Sequence, residues 1–322
     1  MTMNATHHGG RIGDARAQFG GDIADWLDLS TGINPRSWTP PADMQIDWQA
    51  LPDPRSLAML EAAAAAYFGV DPTHCLAVPG SESALRAIAQ LLALPGRHRP
   101  LSYSTHADAF ARTPISPIEP SVLVLGNPNN PDGHTASREA VLAALAEQET
   151  QAGWLLVDEA FVDCMPHLSV AAHVTDDRRL IVTRSFGKFF GLAGVRLGFV
   201  IAPASLLARL RHLQGEWPVC AAAIAFGIAA YADATWIETT RRQLAKAASD
   251  LDAVLLKHGL TPYGDCPLFR LVETERSQHL FQALARKHIL TRAFADHPRL
   301  LRSGLPGNAD TLARLDWALA DG

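Results

Sequence analysis

Thr183–Phe199 reads TRSFGKFFGLAGVRLGF. One lysine, Lys188, lies in a turn of small residues, and Arg196 follows eight positions later. A lysine amine can form an imine with an aldehyde cofactor, and a fixed arginine can hold that cofactor's phosphate. Taken alone, the stretch also reads as a basic turn leading into a strand. Three further segments weigh against that plainer reading.

Val78–Ala89, VPGSESALRAIA, ends a strand at a glycine and opens a helix on Ser81, Glu82 and Ser83. Free N–H groups and hydroxyls converge there, as an anion requires, although an ordinary capped helix has the same letters. Leu125–Gly133, LGNPNNPDG, follows the apolar run VLVL. Turn chemistry explains its backbone. Two consecutive asparagines at the carboxyl end of a strand, where α/β ligands bind, leave Asn130 able to donate to a phenolate oxygen. Trp154–Asp163, WLLVDEAFVD, ends an apolar strand in Asp158. A buried acid needs a partner: a protonated pyridine nitrogen fits, and so does a salt bridge or a helix cap. Glu159 beside it reads as structural. Together the four segments offer a phosphate cradle, a ring-oxygen contact, a ring-nitrogen partner and an imine lysine, which are the requirements of pyridoxal phosphate.

The surrounding sequence suits such a site. Residues 1 to about 45 are polar and turn-rich, and a helical pattern runs from Leu57 to a stop at Gly69. Val122–Leu125, Trp154–Val157, Leu180–Val182 and Leu197–Ala202 read as buried parallel strands. Ser137–Glu149 reads as a helix capped by Ser137. Strands alternating with helices predict a three-layer α/β domain. Helical sequence from Ala221 to Lys257 then leads through the hinge HGLTPYGDCP into an α+β tail. The expected division is a large domain over 46–235 and a small one from 1–45 and 236–322.

Bulk properties exclude several classes. The chain has 322 residues, 48% hydrophobic, with 28 basic and 33 acidic side chains for a net charge of −5. No basic face is implied, so nucleic acid is not an expected partner. Four scattered cysteines without a CxxC pair fit a reducing cytoplasm and offer no metal site. The N-terminus has no signal-peptide core, and the most apolar run, Cys220–Ala232, falls short of the ~20 residues a membrane span needs.

The order and wording of these segments resemble fold-type I pyridoxal-phosphate enzymes, in the branch that contains histidinol-phosphate aminotransferase. NPNNPDG, VDEAF and SFGKFFGLAGVRLGF are the strongest markers. HHGGRIGDA and LDLSTGINP near the N-terminus, with ILTRAF (289–294) and LLRSGLPG (300–307), resemble the family of L-threonine-O-3-phosphate decarboxylases of cobalamin biosynthesis. The resemblance implies the fold-type I transferase fold: a three-layer αβα large domain with a mainly parallel sheet, plus a small α+β domain. It implies Lys188 as the covalent anchor, Asp158 on the pyridine nitrogen and Asn130 on the ring oxygen. Ser81, Glu82 (through its backbone), Ser83, Ser185 and Arg196 would surround the cofactor phosphate. His106, in LSYSTHADAF, falls where relatives set an aromatic ring over the cofactor; a surface histidine would read the same. Arg302 matches the arginine that holds the substrate's α-carboxylate. His8, Gly9, Gly10 and Arg292 are left for the substrate phosphate, with Gly32 and Asn34 beside them; a disordered terminus and a surface arginine are the plainer alternative. Phe161 stands where a tyrosine is common, Gly187 where a serine or threonine is frequent, and Leu51 where a tyrosine often reaches the neighbouring subunit.

The resemblance further implies decarboxylation of L-threonine O-3-phosphate to (R)-1-aminopropan-2-ol O-phosphate by a cytoplasmic homodimer. Lys188 would reprotonate Cα, and anchors at both substrate ends would set which bond lies perpendicular to the ring. An aminotransferase of the histidinol-phosphate type would use the same lysine and arginines but break Cα–H. A non-catalytic relative would keep the pocket for binding alone.

Overall fold

Apolar runs without alternation become the interior of a six-stranded sheet. In the computed structural model, which describes residues 9–112, 116 and 119–320, the strand order is Cys75–Val78, Gly198–Ile201, Leu180–Ser185, Trp154–Asp158, Val122–Gly126, Gly96–His98. The pairs from Leu180–Ser185 across to Gly96–His98 are parallel. Gly198–Ile201, expected from its apolar run to be parallel, runs antiparallel to both neighbours. The reason is the link between Ser185 and Gly198. It holds a single four-residue helix, Phe186–Phe189, and a short 3₁₀ turn. So short a connection turns the chain back at the same sheet end, whereas a parallel return needs a crossover of a dozen or more residues. Mainly parallel is therefore right for the sheet and wrong for that strand.

The chain divides into two compact units. One comprises Ser37–Asn130 and His134–Thr239; the other takes the chain up to Arg36, Pro131–Gly133 and the stretch from Thr240 onward. Capping chemistry sets the helices of the first. Pro54–Phe68 starts before the expected Leu57 because Asp53 accepts the Arg55 N–H at 2.7 Å with Pro54 in the first turn, and it stops at left-handed Gly69. Ser137 caps Arg138–Thr150 through the Ala140 N–H. The long helical stretch is two helices, Ala221–Ala232 and Ala234–Lys257. At the break, Asp233 accepts the Trp236 N–H (3.0 Å) and the Trp38 indole N–H (3.2 Å).

In the second unit, Arg292–Ala293, Leu300–Gly304, Phe269–Glu273 and Pro262–Tyr263 form an antiparallel sheet. Leu27–Asp28 pairs in parallel with Ile289–Leu290. Helices Ser277–Arg286 and Ala309–Ala320 bury Leu280, Leu284, Leu315 and Leu319. No helix among the described residues is long and apolar enough to cross a membrane.

Beneath the first unit's sheet end lies a buried ionic triad. Arg184 Nη1 donates to Glu159 Oε2 at 3.2 Å and Nη2 donates to Asp163. Glu159 also accepts the Ser169 hydroxyl and the Val170 N–H, each at 2.7 Å. Burial pushes the Glu159 carboxyl up, against the opposing pull of Arg184. Burial works against the charge of Arg184, and Asp163 with Glu159 outweighs it. Glu159 is thus structural. Glu159→Ala strips Arg184 of one of two carboxylates and should cost about 3–5 kcal/mol; an unchanged denaturation midpoint would contradict the account.

Candidate active site

The parallel strands end together. Register places Gly126 opposite Asp158 and Asp158 opposite Thr183, so strand-end residues far apart in sequence line one open cavity with an empty volume of about 750 Å³. Ser81, Glu82, His106, Asn130, Asp158, Ser185, Lys188 and Arg196 all face it. A crevice outside the carboxyl ends of parallel strands is where α/β sheets bind ligands.

Asp158 is the last residue of its strand and only 7% exposed. Its Oδ1 accepts the Thr183 hydroxyl (3.1 Å) and the Ala160 N–H (3.2 Å), while Oδ2 lies 3.1 Å from His106 Nε2. Lys188 occupies the four-residue helix that follows the central strand, half-buried, with Nζ 5.8 Å from the Phe161 ring centroid. Phe161, the position expected to lack a tyrosine hydroxyl, lines the same cavity.

The cradle depends on close backbone approach. Helix Ser81–Leu92 has Gly80 at its N-cap with no side-chain cap, leaving the first N–H groups without intrahelical acceptors. A Cβ on Gly80 would lie 2.6 Å from Arg196 Nη2, and one on Gly198 would lie 2.7 Å from the Ser81 nitrogen. Arg196 adopts a left-handed backbone (φ 56°), which is uncommon outside glycine and clusters at functional sites. Gly187 has its own steric reason: a Cβ there would lie 2.6 Å from Ala193 Cα, so no serine or threonine fits. Ser83 does not line the cavity; its hydroxyl donates to Gly80 O (2.7 Å) and Pro79 O (3.2 Å).

Tyr103 lines the cavity too, and sequence reasoning missed it. Its ring meets His106 edge-on at 5.7 Å. Burial pushes its phenol up, with the charges of Glu82 and Asp158 adding and the Thr105 hydrogen bond opposing. Its place in the LSYSTHADAF segment, three residues before His106, is the signal that could have found it.

The remaining expected residues belong to the second unit. Arg292 and Arg302 are cross-strand partners, 8% and 6% exposed. Their guanidinium carbons lie 5.0 Å from the ring centroids of Phe294 and Phe269 respectively. Arg302 Nη2 donates to Ser30 O at 2.7 Å. Burial first and the Arg292 charge second push Arg302 down to about 10, so an anion here would relieve both. Gly10 N–H donates to Ser30 Oγ (2.7 Å), and Gly9 has no room for a side chain against Ser30 O. Gly32 and Asn34 are buried, and Asn34 Oδ1 accepts the Arg36 N–H. His8 lies outside the described residues, and Leu51, in the first unit, is exposed.

Comparison with known proteins agrees with this geometry. The family model "Aminotransferase class I and II" matches residues 103–311. A Sinorhizobium protein named threonine-phosphate decarboxylase is 39% identical, covering 97% of each chain. One of the same name from Pseudomonas aeruginosa is 40% identical, covering 97% of this chain and 96% of its own. Among solved structures, histidinol-phosphate aminotransferase from Sinorhizobium meliloti, in complex with pyridoxal-5'-phosphate, superposes with TM-score 0.82 at 19% identity over 99% of this chain and 98% of its own. L-threonine-O-3-phosphate decarboxylase from Porphyromonas gingivalis gives TM-score 0.74 at 19% identity over 91% and 98%. At such identities these two structures speak to the fold.

The cradle makes a local prediction. Gly80→Ala adds a Cβ against Arg196 at a backbone angle (φ 91°) that L-residues rarely adopt. It should lower the thermal midpoint by the equivalent of about 1 kcal/mol or more; a wild-type melting curve would refute the close approach.

Proposed function

From its membership of the aminotransferase class I and II family, we propose that this chain binds pyridoxal phosphate in the larger unit's cavity and decarboxylates L-threonine O-3-phosphate. One observation carries the reading. A lysine amine, a buried carboxylate and an arginine-backed helix start share a cavity, in a chain about two-fifths identical, almost end to end, to proteins named for that reaction.

The residues present fit the cofactor. Asp158 is a buried acid with three donors, suited to a cationic ring nitrogen. The Gly80–Arg196 approach and the open helix start suit a phosphate. When bound, pyridoxal phosphate supplies an electron sink for the pair left when a bond at the substrate's Cα breaks.

The chain's own groups do the rest. Lys188 Nζ would hold the cofactor covalently, and its amine would be the group that returns a proton to the substrate's Cα. Asp158 would pair with the ring nitrogen and Asn130 would donate to the ring oxygen. Ser81, Ser185, Arg196 and the Glu82 N–H hold the cofactor phosphate, with Ser83 shaping the turn through its bonds to Pro79 and Gly80. In the smaller unit, Arg302 takes the α-carboxylate, and Arg292 with Gly9, Gly10 and His8 takes the substrate phosphate, Gly32 and Asn34 shaping the loop. Two buried arginines in cross-strand register suit a substrate that carries two anionic groups. Two anchors on the substrate would restrict rotation about its Cα, which is how loss of carbon dioxide would be selected over loss of the Cα proton. The product, aminopropanol phosphate, would serve cobalamin synthesis.

We further place the protein in the cytoplasm as a homodimer. Its cysteines are all free thiols, and exposed Trp48, Leu51 and Met59 offer apolar surface for a second copy to cover.

Purified protein given pyridoxal phosphate and L-threonine O-3-phosphate should release carbon dioxide and aminopropanol phosphate in equal amounts by mass spectrometry, with little from L-threonine itself. Lys188→Ala should keep its melting curve yet lose the visible absorbance of covalently held cofactor and all turnover. A keto product formed only with an added 2-oxo acid would make the enzyme an aminotransferase. Bound cofactor with no turnover of any phosphorylated amino acid would make it a binding relative.

A further inference from the structure

We propose that Phe294 is a positioning residue for Arg292, and Phe269 for Arg302, each ring lending its face to a buried guanidinium and holding it in place before an anion arrives. The inference rests on the reading that Arg292 takes the substrate phosphate and Arg302 the α-carboxylate.

The difficulty the rings answer lies in the pairing. Arg292 stands opposite Arg302 in antiparallel register, and the two are 8% and 6% exposed. Cross-strand partners share one face of a sheet, and like charges placed so repel. Little water is at hand to screen them. Burial first, then the Arg292 charge, works against the proton on Arg302. The Asp28 carboxylate pulls the other way, but its Oδ1 already accepts the Ser30 N–H (2.8 Å) and the Ser30 hydroxyl (2.6 Å). A site built for two anions is therefore costly while it is empty.

An aromatic face is the negative part of the ring's quadrupole, and it attracts a cation most strongly away from water. The guanidinium carbon of Arg292 lies 5.0 Å from the Phe294 ring centroid, and that of Arg302 lies 5.0 Å from the Phe269 centroid. The sheet explains both contacts. Phe294 follows Arg292 by two positions, the period that returns strand side chains to one face. Phe269 lies two positions from Leu271, the cross-strand partner of Arg302, which makes it a diagonal neighbour. A carboxylate in either place would stabilise the arginine and repel the substrate. A phenyl ring does the first without the second, and it leaves the N–H donors of the guanidinium to the ligand.

Phe294 is half-buried and Phe269 is 1% exposed, so Phe294 is the position to substitute. Phe294→Leu keeps apolar bulk and loses the face, whereas Phe294→Tyr keeps the face. Holoenzyme is assayed with L-threonine O-3-phosphate as substrate and inorganic phosphate as competing inhibitor, and melting curves check that each variant folds. Phe294→Leu should raise KM and the phosphate inhibition constant together by about three- to tenfold with kcat little changed, and Phe294→Tyr should leave both constants within about twofold of wild type. Wild-type constants in a folded Phe294→Leu, or a fall in kcat without a rise in KM, overturn the proposal. So does a folded Phe294→Tyr weakened by about tenfold, an outcome that decides even if the Leu variant does not fold. Arg292→Ala tests the premise separately: unchanged constants in that variant would show that Arg292 does not hold the phosphate, and the proposal would fall with that reading.

Discussion

The carboxylate of Asp158 ends an apolar strand where only 7% of the residue is exposed, so it gains from donors within the protein. They come from three places: the next strand (Thr183), the next turn (Ala160) and a helix 52 residues earlier (His106). Satisfying this one group ties the strand register to the helix bearing His106. It also leaves an acid whose geometry is set before any ligand arrives. Such preorganisation is what electrostatic stabilisation requires, because nothing need reorient during reaction.

The segment carrying Lys188 and Arg196 answers a second constraint, space. Gly187 and Gly198 sit where a Cβ would strike backbone, and Gly80 sits where it would strike Arg196. Arg196 itself takes a left-handed backbone that costs about 1–3 kcal/mol. The stacked and edge-on rings of Phe186, Phe189, Phe190 and Tyr231 supply apolar contact that can offset such local strain. Local strain over a well-packed aromatic base thus holds a lysine and an arginine toward one cavity.

Much of this is legible in the letters. Continuous apolar runs marked the interior strands, Ser137 and Gly69 marked helix ends, and the strand-end positions of Asn130, Asp158 and Lys188 marked the cavity. Each is a local signal, set by a few neighbouring residues. What escaped depends on distance in sequence. The antiparallel direction of Gly198–Ile201 follows from how short a link precedes it, since an apolar run has no direction of its own. The bond from His106 to Asp158 joins segments that no periodicity connects. Tyr103, the residue before the helix that bears His106, lines the cavity through a fold its own letters do not reveal. The inward turn of the Ser83 hydroxyl follows from backbone geometry that composition does not encode.

The choice between breaking the Cα–carboxylate bond and the Cα–H bond is the claim on which the functional account turns, and solvent isotope decides it. Reaction of the holoenzyme with L-threonine O-3-phosphate in deuterium oxide, followed by mass spectrometry of both substrate and amine, is the most direct measurement. The account predicts aminopropanol phosphate carrying a single deuteron, delivered to Cα after carbon dioxide departs, with recovered substrate unlabelled. Deuterium accumulating at Cα of the recovered substrate, without decarboxylated amine, would contradict it.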